Sequence, residues 1–532
     1  MDRRNLLGSL SQNITIDHDK CLYCGLCVDR CILDNLRMKL APCRQACPLG
    51  VNAQGYVRLI ARGEDDKARE QVLKDLPFPE ILGRICDRPC EEKCHRKSVT
   101  GEAVSIRALK RYLFPGSGSL PIPDKAENTG RSVAVVGSGP AGLTAAFDLA
   151  VRGHTVVVFE AAEKPGGLLD RVIPAFRLPK ETVARDIGVL ESLGVQFRCG
   201  VRIGDNPSVS ELEADFDAVI IASGLGGPKD AGVDGEQLPN VHRALSLLEA
   251  AREGNAPELP GRVVVIGGGN AAVDAAQTAI RLGAGSVTMV SLEARAELPA
   301  FEHEVLQAVS EGVSLECSRG PVRINSDQNR VNGIELRRCL SVFDEQGRFS
   351  PRFDDGESMA LPCDHVITAI GQTGDTLDMV PAELRSADPL TLQTAREKVF
   401  LAGDCCASRP SSVVSAMASG RRAAESVGRL LDGDSLTYNR NYPGPVVTDF
   451  EIDTSGSVDR KRICPPVHSF EGKGDFKELE ETMSVEDARA EAERCYSCGT
   501  PFGLYRNCWF CLPCEVSCPE EALWVEIPYL LR

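Results

Sequence analysis

The chain has 532 residues, 43% of them hydrophobic and 26% charged, with a formal net charge of −16. That length carries two or three domains, each with its own core, and an acidic balance without any basic run argues against a nucleic-acid partner. No apolar stretch is long enough to span a bilayer, and the opening MDRRNLLGSLSQNITID has paired arginines with no apolar segment behind them, so the expected compartment is the cytoplasm.

In a reducing compartment, cysteine clusters bind metal or do redox chemistry rather than form disulfides. Of the 22 cysteines, nine fall between Cys21 and Cys94 and six between Cys495 and Cys518. The first segment, residues 1–40, contains CLYCGLCVDRC. Its Cys21, Cys24, Cys27 and Cys31 have the C-x2-C-x2-C-x3-C spacing of a cubane iron–sulfur cluster, whose fourth cysteine can serve a neighbouring cluster. Residues 41–115 are helix-like and add Cys43, Cys47, Cys86, Cys90 and Cys94. The stretch FPGSGSLPIPDKAENTG then reads as a linker.

From Ser132 to about Val427, apolar strands alternate with helical patterns, which predicts α/β layers. In VAVVGSGPAGL, Gly137, Gly139 and Gly142 form G-x-G-x-x-G between a strand and a helix, and the next strand, TVVVFE, ends in Glu160, placed to bond ribose hydroxyls. A second copy, VVVIGGGNAAVD, puts Gly267 and Gly269 in the first two glycine places and Ala272 in the third, and the strand SVTMV leads to Glu293. Two nucleotide sites predict a flavin beside a nicotinamide. In VFLAGDCC, Asp404 follows a strand and Gly403, where an acid commonly binds the ribityl chain of FAD. The flavin domain is therefore expected to be discontinuous, 131–255 and 370–432, around an NAD(P) domain at 258–369.

Residues 433–480 read as a linker, and 481–532 as a small ferredoxin-like domain with Cys495, Cys498, Cys508, Cys511, Cys514 and Cys518. Pro519 completes the iron–sulfur pattern of the last run, whereas Ile32 stands in that place after Cys31. Zinc ribbons also use C-x2-C pairs and are the main rival. Cys495 and Cys498 complete a second C-terminal cluster or bind nothing. The seven scattered cysteines, Cys405 and Cys406 among them, read as small buried packing residues.

The motifs APCRQACPLGVN, LPFPEILGRICDRPCEEKC, VAVVGSGPAGL, KPGGLL, IPAFRLPK, VVVIGGGNAAVD, AIGQ and VFLAGDCC together resemble the small subunit of glutamate synthase and its relatives, over about residues 41–500. The resemblance implies an α/β fold with two Rossmann-like domains, preceded by a helical iron–sulfur domain and followed by the ferredoxin-like segment. It implies Gly167 and Leu168 at FAD, Asn270 and Asp274 at the nicotinamide nucleotide, and Cys43, Cys47, Cys86, Cys90 and Cys94 as cluster ligands. Two departures stand out. The C-x2-C pair usual before the residue matching Cys43 is missing, and Lys110 aligns where some relatives have a ligating Glu or Gln. In NADPH-using relatives, arginines follow the strand matching SVTMV, but here Ser291-Leu292-Glu293 stand there, which predicts NAD(H) over NADP(H).

The expected function is an electron-transfer subunit that exchanges hydride between NAD(H) and FAD and relays single electrons through three or more [4Fe-4S] clusters, to or from a separate catalytic subunit or a ferredoxin-like carrier. The alternative is a glutamate synthase small chain. A structural scaffold and a disulfide reductase fit less well, since both nucleotide motifs are intact and GGGNAAVDAA carries no C-x-x-C. No side chain is singled out as a catalytic acid or base.

Overall fold

The segments SVAVV, TVVVF and AVII are apolar on both faces, the composition of strands covered from both sides, and they form the middle of a parallel sheet. In the computed structural model this sheet has the order Val399–Leu401, Ala218–Ile221, Ser132–Val136, Thr155–Phe159, Gln196–Arg198. The structure describes residues 13–32, 34–116, 118, 120–204, 206–374, 380–406, 411–455, 458–503, 508 and 511–526; the opening MDRRNLLGSLSQ lies outside them. A second parallel sheet has the order Val313–Glu316, Ala284–Val290, Gly261–Ile266, His365–Thr368, Val241–Arg243. A three-stranded antiparallel sheet, Arg319–Asp327, Arg330–Phe343 and Phe349–Leu361, follows the last strand of its first edge in sequence. The strand order of the first sheet, with Val399–Leu401 returning beside Ala218–Ile221, makes this half of the α/β unit discontinuous in sequence.

Two boundaries differ from the sequence reading. The strand Val241–Arg243 pairs with the second sheet, and Ala244 and Leu247 pack with Val263 and Val265, so the first half ends before residue 241 rather than at 255. The segment 433–480 is no free linker. Its part Ser435–Pro466 belongs to the cysteine-rich unit, and its part Val467–Glu480 to the α/β unit. The latter is pinned by Leu479 N–H to Phe176 O (2.8 Å), by Gly474 N–H to Arg281 O (2.8 Å), and by Phe470 over the Arg281 guanidinium.

The cysteine-rich unit comprises Met1–Gly118, Ser435–Pro466 and Glu481–Arg532. Its helices carry readable stop and start signals: Asn52 Oδ1 accepts from Gly55 N–H at the start of Ala53–Arg62, and Gly63, at φ 84°, ends it. The two sequence ends meet here. Ile14–Ile16 pairs antiparallel with Leu523–Val525, and Leu36–Lys39 lies between Val446–Val447 and Pro501–Gly503. The first and last segments are therefore one folded body, with Leu36, Met38, Ala522, Leu523 and Val525 in a common core. Among the described residues no helix is long and apolar enough to cross a membrane.

Candidate functional site: two glycine turns and four cysteine groups

At the first turn, glycine is required by space. A Cβ on Gly137 (φ 99°) would lie 2.5 Å from Ala222 O, and one on Gly142 would lie 2.0 Å from Gly137 O. A Cβ on Gly139 would meet nothing within 4 Å, so the space above the N-terminus of Pro140–Val151 is open. An open, donor-rich helix start fits a dinucleotide pyrophosphate. Glu160 is buried beside it and accepts from Ser138 N–H (2.9 Å) and Ala162 N–H (2.8 Å). Ser138 Oγ in turn accepts from Gly166 N–H (2.9 Å), and a Cβ on Gly167 would stand 2.9 Å from Gly139 Cα, so the KPGGLL loop lies against the turn with Leu168 exposed. From the far strand, a Cβ on Gly403 (φ 76°) would lie 2.8 Å from Ala141 Cβ. Asp404 next to it accepts from Ser411 N–H (3.1 Å), and burial pushes its carboxyl above the usual range. Sequence reasoning missed Ser138, which joins Glu160 to the loop, and Gly420, where a Cβ would lie 2.1 Å from Ala141 O.

At the second turn, a Cβ on Gly267 would meet Ala369 O at 2.4 Å, and Gly269 again faces open space. Asn270 Oδ1 accepts from Phe301 N–H (3.0 Å), tying the segment after Glu293 to the turn. The Glu293 carboxylate lies over the turn: Oε2 is 2.9 Å from where Gly268 would carry a Cβ. Arg295 makes two bonds to Glu302 (2.7 and 2.8 Å). Asp274 is taken up by Arg177 of the IPAFRLPK segment (2.7 Å), which also pairs with Glu304; its carboxylate thus joins the two halves of the α/β unit.

The cysteines fall into four groups within their unit. Cys21, Cys24, Cys27 and Cys518 line one cavity. Cys514 has Cys31, Cys508 and Cys511 around it. Cys43, Cys94, Cys495 and Cys498 line a second cavity with Pro42, Val57 and Ile106. Cys47, Cys86 and Cys90 form the fourth group, with Lys110 beside it. The fourth cysteine of each terminal run thus stands with the other run's three. The runs are also built alike: Gly25 and Leu512, both at positive φ, precede the short helices that carry Cys27 and Cys514. Asn35 N–H points at Cys31 Sγ and Ala522 N–H at Cys518 Sγ, each 3.2 Å and four residues on. The pair Cys495–Cys498 joins Cys43 and Cys94 instead of building a C-terminal cluster or standing alone. It is held there by Arg494, wholly buried, which pairs with Glu491 (2.6 Å) and donates to Ala103 O (3.0 Å), while Arg96 donates to Arg494 O (2.7 Å).

Burial pushes these thiols up, Cys21, Cys495 and Cys514 each to about 11, so cation binding must displace their protons. The donor set, thiols in apolar cavities with N–H groups aimed at sulfur, fits iron–sulfur clusters. Of the scattered cysteines, Cys339, Cys363 and Cys405 are buried, but Cys406 and Cys464 are exposed, which corrects their reading as packing residues. Cys406 ends the short turn after Asp404, and its thiol is lowered by a hydrogen bond with Cys405.

Residues 131–420 match the pyridine nucleotide-disulphide oxidoreductase family, and residues 7–116 match dihydropyrimidine dehydrogenase domain II, 4Fe-4S cluster. The chain is 33% identical over 507 residues to the NADP(+)-dependent formate dehydrogenase subunit beta of Moorella thermoacetica, covering 86% of this chain and 70% of that one. It is 32% identical over 507 residues to the NADPH-Fe(3+) oxidoreductase subunit beta of Geobacter sulfurreducens (86% and 75%). It is 33% identical over 449 residues to a glutamate synthase [NADPH] small chain of Halomonas elongata (79% and 91%). The chain belongs to the pyridine nucleotide-disulphide oxidoreductase family. It is an NAD(P)H-dependent FAD and iron–sulfur oxidoreductase whose α/β reductase fold is joined to a 4Fe-4S domain.

Proposed function

We propose that the chain is an electron-transfer subunit that exchanges hydride between NAD(H) and FAD and passes single electrons through four [4Fe-4S] clusters, to or from a separate catalytic subunit. FAD, when bound, supplies the exchange between hydride and single electrons. The chain's own residues bind and orient. The open faces of Gly139 and Gly269 admit phosphates to helix starts, and Glu160 and Asp404 offer carboxylates to hydroxyl groups of the flavin nucleotide. The observation that carries the reading is the cavity lined by Cys43, Cys94, Cys495 and Cys498, a ligand set drawn from both ends of the chain. Two relatives are named as beta subunits, which supports a partner subunit. The glutamate synthase relative matches 79% of this chain over 91% of its own length, so about a fifth of this chain has no counterpart in that match, which favours the electron-transfer reading over a glutamate synthase small chain.

The relatives' names carry NADP(+) or NADPH. For this chain we read NAD(H), because Glu293 lies over the turn and Arg295, the nearest compensating charge in sequence, is engaged by Glu302. A carboxylate there accepts bonds from a ribose diol and repels a 2′-phosphate.

The cluster partition is tested by non-additivity in the full chain. Replacing Cys495 and Cys498 with Ala should remove about four of roughly sixteen irons per chain. Replacing Cys43 and Cys94 should remove the same four, and all four substitutions together should remove no more. A loss of about eight on combination would mean two separate clusters and would overturn the partition.

A further inference from the structure

The loop Val467–Glu480 carries neither a glycine turn nor a cysteine, yet it belongs to the α/β unit and is tightly built. Val467 and Glu480 face each other as an antiparallel bridge, and His468 N–H donates to Leu479 O (2.6 Å), so the two ends of the loop lie side by side. Inside it the buried Asp475 carboxylate accepts from Glu471 N–H (2.9 Å) and Lys477 N–H (3.3 Å), with His468 Nε2 at 3.1 Å. A buried polar group satisfied on several sides makes a loop rigid.

This loop grips both halves of the α/β unit. Gly474 N–H donates to Arg281 O (2.8 Å), at the end of the helix Asn270–Arg281 that starts from the second glycine turn. Leu479 N–H donates to Phe176 O (2.8 Å), in the first half. The side chains repeat the arrangement. The guanidinium carbon of Arg281 lies 4.1 Å from the ring centre of Phe176 and 4.6 Å from that of Phe470, a cation between two aromatic faces. Arg281 is wholly buried and pairs with Glu311 (2.6 Å), while its Nε and Nη2 find no hydrogen-bond partner among the described residues. An ion pair serving stability alone is complete with Glu311, inside the second half. The two rings come from outside it, one from the first half and one from the loop. Next to Phe176, Arg177 crosses to Asp274 near the start of the same helix (2.7 Å). The helix is thus tied to the first half near both of its ends.

We propose that Phe470 and its loop are positioning elements for hydride exchange. With Arg281 and Phe176 they fix the tilt of the helix Asn270–Arg281 against the first half, so that a nicotinamide held at the second turn is presented to a flavin held at the first without rotation of the halves. The inference rests on the reading that one hydride, a proton with two electrons, passes between those two nucleotides. Such a transfer needs the reacting atoms at about 3–3.5 Å, and a misplacement of about 1 Å can cost a hundredfold in rate. A helix released at its end tilts at its start, where the nucleotide sits.

The test uses the full chain with FAD and clusters loaded, and single-turnover flavin reduction by whichever of NADH and NADPH the wild type uses. A wild type reduced by neither would refute the hydride reading itself. In Phe470→Ala, FAD content and nucleotide Kd should stay as in wild type, while the limiting rate of flavin reduction falls about tenfold or more. Phe470→Tyr, which keeps the ring, should restore the rate. Lys477→Ala, on the same loop but exposed and paired only with Glu471, should match wild type. Hydrogen exchange without nucleotide gives a readout apart from activity: peptides covering 173–180 should exchange faster in Phe470→Ala and not in Lys477→Ala. An unchanged limiting rate in Phe470→Ala, equal slowing in Lys477→Ala, or slowing with hydrogen exchange unchanged would overturn the proposal. If Phe470→Ala loses FAD, Phe470→Leu replaces it with the same readouts, and loss of FAD there too would overturn the proposal in favour of a purely structural role.

Discussion

The proposed preference for NAD(H) turns on one side chain, Glu293. Its oxygen sits 2.9 Å from the Cβ position of Gly268, and the alternative in which it points away from the turn is not what the fold builds. A phosphate brought there meets a like charge, a cost of several kcal/mol, equivalent to roughly a thousandfold in preference when nothing compensates. Rates of flavin reduction by NADH and NADPH, compared in wild type and in Glu293→Arg, check this. Wild type should prefer NADH, and the substitution should move the ratio toward NADPH by at least tenfold. A wild type that prefers NADPH would contradict the assignment. The identity of Glu293 was legible at the end of its strand. The engagement of Arg295 was not, because Glu302 stands seven residues on, beyond the 3-10 turn Arg295–Glu297, and no local periodicity pairs the two.

Short elements were the hardest to place. Val241–Arg243 has three residues, too few for a periodicity that would assign it to either sheet, and its place beside His365–Thr368 is set by pairing. That pairing brings His242 Nε2 to 3.3 Å from His365 Nδ1 with the rings stacked. Burial lowers both imidazoles below the ordinary histidine range. His365 adds to the lowering of His242, while Asp364 partly opposes that of His365. Above the unfolded value near 6.5 both states are neutral and the pair contributes nothing. As pH falls through that value the unfolded chain takes up protons first, so stability declines until the folded pair is itself protonated. Denaturant unfolding between pH 7.5 and about 5 should therefore show falling stability, and His365→Gln should flatten the slope. An unchanged slope in the variant would show that the pair does not control it. The long motifs behaved differently. Strand, glycine turn and helix are contiguous in sequence, so both nucleotide turns could be read directly from residues that the structure shows to be spatially required, such as Gly142 and Gly267.

Across the molecule, local spacing identified the cysteine runs, but their partners could not be read from spacing. Cys518 stands with Cys21, Cys24 and Cys27 because Ile14–Ile16 and Leu523–Val525 pair as strands, a contact between opposite ends of the sequence. Cys495 and Cys498 line one cavity with Cys43 and Cys94, beside the helix Val485–Ala492 and the buried Glu491–Arg494 pair, and no local spacing joins them to Cys43. The cysteine runs near the two ends of the sequence thus belong to one cysteine-rich unit. If iron–sulfur clusters on these cysteines exchange electrons with the flavin and the nicotinamide, an electron inventory of the whole chain will show it. The anaerobic protein is fully reduced with excess reduced methyl viologen and freed of it, NAD+ is added, and NADH formed per chain is counted. FAD holds two electrons and each of four clusters one, so about three NADH per chain are predicted. A yield of one, the flavin's own pair and nothing from the clusters, would rule out such an exchange.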